Sequence, residues 1–333
     1  MPGTILTVAA TGTLLSLAAL PTGGASSTSE SWLGPLCALV SSLTWAYGSA
    51  IYTKEAGRVG ATQVNLTRSL LVLPLFGLAA LLTAGPQGFA ALRGPNLGWL
   101  SLSVVCSYGL GDLMFYLAAM RLGTATGLAI SSTFPVWSAL LAALTLGEHI
   151  GPVRAAGIAS CIGGVVWLVL LQAPAQGQAP RVRGRALAGG VALAVLASLL
   201  WAGNTYAIRR GAVGLPMFVI NSFRYCLAVL VLSTLWLRQQ RGRTPKGEPR
   251  ERLLGSWPHL RRFLPTVLVE AFFGSSIFVY GLSHSDLSVA APLSSLAPLF
   301  AVPIGLLLGT EQLHLRRLLA IAITVAGVVL LVR

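Results

Sequence analysis

Ten apolar runs, each near the length of a membrane crossing, recur along the chain at 33–53, 61–83, 97–119, 124–146, 152–171, 186–207, 215–237, 263–282, 287–308 and 315–332. A helix needs about 20 predominantly apolar residues to span a hydrocarbon core. The pattern therefore predicts an all-α membrane protein with ten transmembrane helices. Most connections between the runs are short, which predicts a compact bundle of helical hairpins. Two are longer, the linker 172–185 and the loop 238–262. Residues 4–20 (TILTVAATGTLLSLAAL) form a further apolar run, followed by PTGGASSTSE. Three readings stay open for residues 1–32: a signal-like segment, an eleventh span, or a loosely attached extension. The positively charged start of a secretory signal is missing.

Composition narrows the class. Charged residues make up 10% of the 333, against 55% hydrophobic ones, and the mean hydropathy is +0.77. A soluble globular domain carries roughly 25% charged residues. A chain this poor in charge cannot clothe a water-facing surface, which excludes a soluble enzyme, a secreted domain and a coiled coil. The formal charge of +14 would fit nucleic acid, but the distribution argues against it. With ten spans, 16 of the 23 Lys and Arg fall on the side that holds the linker and the loop 238–262, and five on the other. Lys and Arg are retained in cytoplasmic loops, so that side is expected to be cytoplasmic and both ends of the ten-span core external. The long basic loop is also suited to anionic lipid headgroups. The cysteines Cys37, Cys106, Cys161 and Cys226 lie singly in separate runs, without ligand or redox spacing, and are expected to pack. No metal or cofactor is expected.

The chain repeats itself. SSLTWAYGSAIYTK around Trp45 resembles ASLLWAGNTYAIRR around Trp201 at an offset of 156, which also maps Asn65 to Asn221 and Arg68 to Arg224. Beyond the second hairpin loop the offset becomes 163. It maps Gly111 to Gly274, Phe115 to Phe278, Ser131-Ser132 to Ser294-Ser295, Pro135 to Pro298, Glu148 to Glu311, Arg154 to Arg317 and Gly164 to Gly327. A five-helix unit, 33–171, is thus followed by its copy, 186–333. Five is odd, so the second copy enters the membrane from the opposite side. Two inverted five-helix repeats around a shared site are a common transporter architecture.

With these residues in view, the chain resembles the EamA-type, ten-helix members of the drug/metabolite transporter superfamily over roughly residues 33–332. The resemblance rests on the Trp of spans one and six, the Arg of spans two and seven, the S-S-x-x-P of spans four and nine with Glu148 and Glu311 after it, and the Gly-rich spans five and ten. It implies a carrier for amino acids, metabolites, drugs or related solutes. It does not name the solute.

Several intramembrane residues are candidates for that work. Arg68 and Arg224 lie about 10 Å inside their spans at about 1.5 Å per residue, where an ionisable group normally faces a bundle interior or an aqueous cavity. Two readings stand: a clamp on carbonyls or headgroups, or part of a solute cavity. Asn65 and Asn221 share their helix faces. Pro135 and Pro298 interrupt spans four and nine and free the carbonyls of Ser131 and Ser294. Broken helices place polar groups at the midplane, where transporters bind solutes, although a packing kink is an equal alternative. Trp45, Trp201, Tyr116 and Tyr280 are candidate cavity aromatics. Glu270 lies near the middle of its span, and its counterpart at offset 163 is Ser107. It is expected either to carry a coupling proton or to be half of a permanent ion pair, with Asp112 the next candidate. All four histidines fall in loops or at span ends, and no G-x-x-x-x-G-K is present. The expectation is therefore a secondary carrier for a small-molecule solute, with a membrane-embedded enzyme or lipid-modifying protein as the alternative.

Overall fold

The computed structural model describes residues 32–146, 151–171, 184–241, 257–285, 287–307 and 315–331. The extension 1–31, most of the linker and most of the long basic loop lie outside the described residues, as do Glu148 and Glu311. Every element among the described residues is helical. The first half contains α1 (Leu33–Val59), α2 (Ala61–Ala90), α3 (Pro95–Leu122), α4 in two pieces (Thr124–Ser131 and Phe134–Leu146) and α5 (Pro152–Leu170). The second contains α6 (Arg185–Gly211), α7 (Met217–Arg241), α8 (Trp257–His284), α9 in two pieces (Leu287–Ser294 and Ala297–Leu307) and α10 (Leu315–Leu331). Five of the described helices, α2, α3, α6, α7 and α8, are long and apolar enough to cross a membrane by length and composition. Helix α1 is equally long but carries Ser41, Ser42, Thr44, Ser49 and Thr53, whose burial marks an inward polar face. Most of these hydroxyls donate to a carbonyl three residues back, as Thr44 Oγ1 does to Ser41 O at 2.8 Å.

Turn chemistry closes the hairpins. Gly60 alone separates α1 from α2, and Gly123 alone separates α3 from α4, at φ 99° and 84°. Only glycine enters that region without steric cost.

Contacts come in reciprocal sets. Helix α1 packs on the C-terminal part of α8 and on both pieces of α9, while α6 packs on the C-terminal part of α3 and on both pieces of α4. Helices α2 and α7 pack on each other, as do α5 and α10. The α5–α10 contact is itself self-complementary. A Cβ on Gly164 would lie 2.8 Å from Thr324 N, and a Cβ on Gly327 would lie 2.6 Å from Cys161 N. Without a hydrophobic force between helices in lipid, small residues that admit close backbones are what hold such pairs. Because Thr324 N and Ala320 O of the facing backbone obstruct it along with the Thr324 hydroxyl, Gly164→Val must push the helices apart. We expect it to lower the melting temperature of the detergent-solubilised protein, at an overpacking cost of about 1–3 kcal/mol. An unchanged melting curve would remove this contact from the stability of the fold.

Two local irregularities occur at equivalent places. Helix α3 widens to a π-turn at Val105–Gly109, and α8 does so at Val267–Gly274. The ladder there skips one residue, with Leu110 N donating to Val105 O at 3.0 Å. Helices α4 and α9 break at Ser132-Thr133 and Ser295-Leu296, positions again 163 apart. The prolines are the second residues of the new pieces, Pro135 after Phe134 and Pro298 after Ala297. A missing N–H and a preset φ make proline a helix starter there.

Candidate functional site

The π-turns and breaks meet around one cavity. It has a volume of about 110 Å³, and helices α1–α4 and α6–α9 all contribute to its wall. The π-turns have a direct consequence: they leave carbonyls without a partner on their own helix. Such turns recur at functional sites. The neighbouring helix fills the gap, with Asn65 Nδ2 donating to Tyr108 O at 3.3 Å and Tyr225 OH to Ala271 O at 3.0 Å. Asn221 Nδ2 donates to Ser275 O at 3.2 Å, just past the second π-turn. The two asparagines therefore brace neighbouring helices and lie outside the cavity wall.

Both arginines are 1% exposed and both line the cavity. Their surroundings differ. Arg68 donates through Nη2 to Asp112 Oδ2 and through Nη1 to Glu270 Oε2, the latter at 3.4 Å. Trp201 Nε1 holds the other Asp112 oxygen at 3.1 Å. The Tyr52 hydroxyl donates to Thr266 O at 3.4 Å and also interacts with Glu270. One guanidinium thus faces two carboxylates from different repeats, and the group becomes neutral when it holds one proton. Glu270 is at once paired with an arginine and placed at the cavity wall. Asp112, just past the π-turn of α3, is as buried as Glu270.

Among the described residues Arg224 hydrogen-bonds only neutral oxygens. Nε donates to Ser103 Oγ at 3.0 Å, Nη1 to Asn221 Oδ1 at 3.3 Å, and Nη2 to Ser107 Oγ and Asn204 Oδ1 at 3.3 and 3.1 Å. Both guanidiniums also lie over the ring of Tyr108, 5.3 and 5.1 Å from its centroid. A cation over an aromatic face recovers about 2 kcal/mol when desolvated, which helps two like charges share one site.

The aromatic expectations divide. Trp45 and Trp201 line the cavity and touch each other edge to face, 5.5 Å between centroids, so the repeated tryptophans meet at the junction of the halves. Tyr116 is fully buried behind the wall, edge-on to Tyr52 at 6.3 Å. Tyr280 stacks on His284 at 4.0 Å, away from the wall. The paired serines divide as well. Ser294 lines the cavity, but Ser131 turns its hydroxyl to Ala194 O of α6 at 3.2 Å, and its neighbour Ser132 takes the wall. Pro135 and Pro298 are buried behind the breaks rather than at the wall.

The wall also contains groups that no sequence motif marks. Asn204 follows Trp201 by three residues and so shares its helix face, a signal available in W-A-G-N. Its counterpart at offset 156 is Gly48, where a Cβ would lie 2.8 Å from Glu270 Cβ. The repeats have therefore exchanged bulk: Gly48 makes room for Glu270, and Asn204 fills the place opposite Ser107. Ser107, Tyr108 and Ser275 had no such signal, because the π-turns that face them inward are invisible in the spacing.

Comparison with known proteins agrees with this architecture. The profile of the EamA-like transporter family matches residues 32–170 and 188–333, one match per repeat. The chain belongs to the EamA-like transporter family, and with it to the multi-pass membrane proteins. An uncharacterized transporter of Archaeoglobus fulgidus is 22% identical over 298 residues, covering 89% of this chain and 96% of that protein. An uncharacterized protein of Pseudomonas aeruginosa is 32% identical over 148 residues, 44% of this chain and 48% of that relative's length. A solved crystal structure shares the fold, with a TM-score of 0.61 and 20% identity over 92% of this chain and 96% of its own.

Proposed function

We propose that the chain is a secondary carrier that moves a small polar or amphipathic solute by alternating access, with Glu270 carrying a coupling proton. In this reading α1–α10 are ten crossings of a plasma or inner membrane, arranged as two five-helix repeats of opposite insertion. The cavity is the solute site, with Trp45, Trp201, Arg68, Arg224 and Ser294 at its wall. One observation carries the reading. The cavity is walled by both repeats, and a buried cluster of one cation and two anions from different repeats opens on it. Rocking one half against the other exposes such a site first to one side and then to the other. It also separates Glu270 of the second repeat from Arg68 and Asp112 of the first, which is the step at which a proton can be exchanged. The reciprocal contacts of α1 with α8–α9 and of α6 with α3–α4 support two equivalent arrangements of similar energy.

The test is flux into vesicles reconstituted with the full chain, using a panel of amino acids and cationic drugs with and without a pH gradient. Gradient-driven accumulation of a panel member is the expected result. Absence of protein-dependent flux for every member, in either gradient direction, would overturn the carrier reading.

A further inference from the structure

The two arginines are equivalent in sequence and unequal in charge environment. Offset 163 maps the Arg68 partners Glu270 and Asp112 to Ser107 and Ser275 in the surroundings of Arg224. Ser107 still accepts from Arg224, at 3.3 Å, just as Glu270 does from Arg68 at 3.4 Å. The geometry of the bond is kept and the negative charge is gone. Asn204 supplies a further neutral acceptor where the first repeat has Gly48. Among the described residues no carboxylate pairs with Arg224, which is 1% exposed and lines the cavity. A buried charge with no carboxylate in direct contact is costly in any membrane protein. Removing its counter-ion while keeping its hydrogen bonds makes sense where the counter-ion arrives from outside.

The formal charges complete the argument. The Arg68–Asp112–Glu270 cluster is one negative charge in excess, and Arg224 is one positive charge in excess. Both groups face Tyr108, so the two guanidinium carbons are no farther apart than the sum of their 5.3 and 5.1 Å distances to its ring centre. A proton taken up by the cluster leaves the cavity with a net positive charge, which a single anion cancels.

We infer that the transported solute carries a compact anionic group, a carboxylate or a phosphate, that takes Arg224 as its counter-ion. This rests on the carrier reading and names the chemistry that the cavity selects. A neutral or purely cationic solute would leave Arg224 unpaired and is disfavoured for that reason. The anion and the proton bind better together than apart, because each cancels the field that opposes the other. The bond formed is charge-assisted.

The probes are acetate and inorganic phosphate, with acetamide as the uncharged match and sodium chloride holding ionic strength constant. Thermal denaturation of the purified full-length protein is followed as each is added. A ligand that binds only the folded state raises the melting temperature with concentration. Acetate or phosphate, whichever matches the natural group, should do so, and acetamide should not. Two variants remove the effect by different routes. Arg224→Gln deletes the cation. Ser107→Glu keeps Arg224 and gives it the internal counter-ion that Arg68 already has, so it is expected to fold and to lose at least tenfold in apparent anion affinity. Stabilisation by neither anion, equal stabilisation by acetamide, or an anion effect that survives in Ser107→Glu overturns the inference. In the vesicle assay, accumulation confined to solutes without an anionic group overturns it while leaving the carrier reading intact. Absence of any flux overturns the carrier reading instead.

Discussion

Glu270→Gln is expected to reduce pH-gradient-driven accumulation in reconstituted vesicles to the background of empty vesicles, while leaving solute exchange at equal pH in place. The substitution keeps the shape and the hydrogen-bonding capacity of a protonated glutamate but cannot ionise. Arg68 retains Asp112 as its partner, and the introduced amide leaves that pair formally neutral, so the helices are held in the proton-loaded arrangement without the proton. Arg68, Asp112 and the Tyr52 hydroxyl face position 270, with Tyr116 and Tyr225 near enough to feel its charge, and none of them is changed. Coupling requires the carboxylate to lose its proton on one side and regain it on the other, and this is the only step removed. Accumulation that persists undiminished would show that Glu270 does not carry the proton and would pass the role to Asp112. A fall in folded yield with exchange lost as well would show instead that the Arg68–Glu270 pair is structural.

Arg68→Gln should have the largest effect on stability of any single substitution in the chain. It leaves two carboxylates, Asp112 and Glu270, facing each other in a buried site with no cation between them. Breaking a buried pair by removing one partner costs about 3–5 kcal/mol, because the remaining charge has no compensation. The expected result is a large drop in melting temperature and in yield of monodisperse protein. A double-mutant cycle isolates the cause. Arg68→Gln combined with Asp112→Asn removes one of the stranded charges along with the cation. It should be less destabilised than the sum of the single variants, by about 0.5–3 kcal/mol, as expected for groups in direct contact. Strict additivity would mean that the two residues do not interact in the folded protein.

The repeat made much of this site readable in advance. Arg68 and Arg224, Trp45 and Trp201, and Glu270 and Asp112 all stand out in sequence because a polar or bulky residue within an apolar run needs a reason, and for the arginines and tryptophans recurrence at a fixed offset supplies one. All six reach the wall of the cavity. The candidates that lie off the wall do so for a common physical reason. Ser131 and Ser132 are adjacent on a helix that breaks between Ser131 and Phe134, so the spacing does not tell which hydroxyl turns toward the centre and which bonds Ala194 of α6. Asn65 and Asn221 looked like cavity donors because they share a face with the arginines. They are consumed by carbonyls that the π-turns of α3 and α8 release or leave nearby, and an i→i+5 turn leaves no pattern in hydrophobicity. Tyr116 and Tyr280 follow the periodicity of inward positions, but inward on α3 and α8 also means toward Tyr52 and His284.

By itself, the sequence determined the membrane class, the two-fold duplication and the small set of ionisable groups that have to be accommodated in the interior. Those follow from local rules: a hydrocarbon core demands apolar runs of a given length, and duplication leaves matched residues at constant offset. Only the tertiary structure decided how the charges are shared. Arg68 had two acids within reach of its depth and took both, one from each repeat, while its equivalent took none. That outcome depends on the relative rotation and depth of α2, α3, α7 and α8, set by two π-turns, by the room that Gly48 leaves for Glu270 and by the bulk of Asn204 on the opposite side. Pairing of buried charges is a property of distances between helices, and distances between helices are fixed by packing that no single segment encodes.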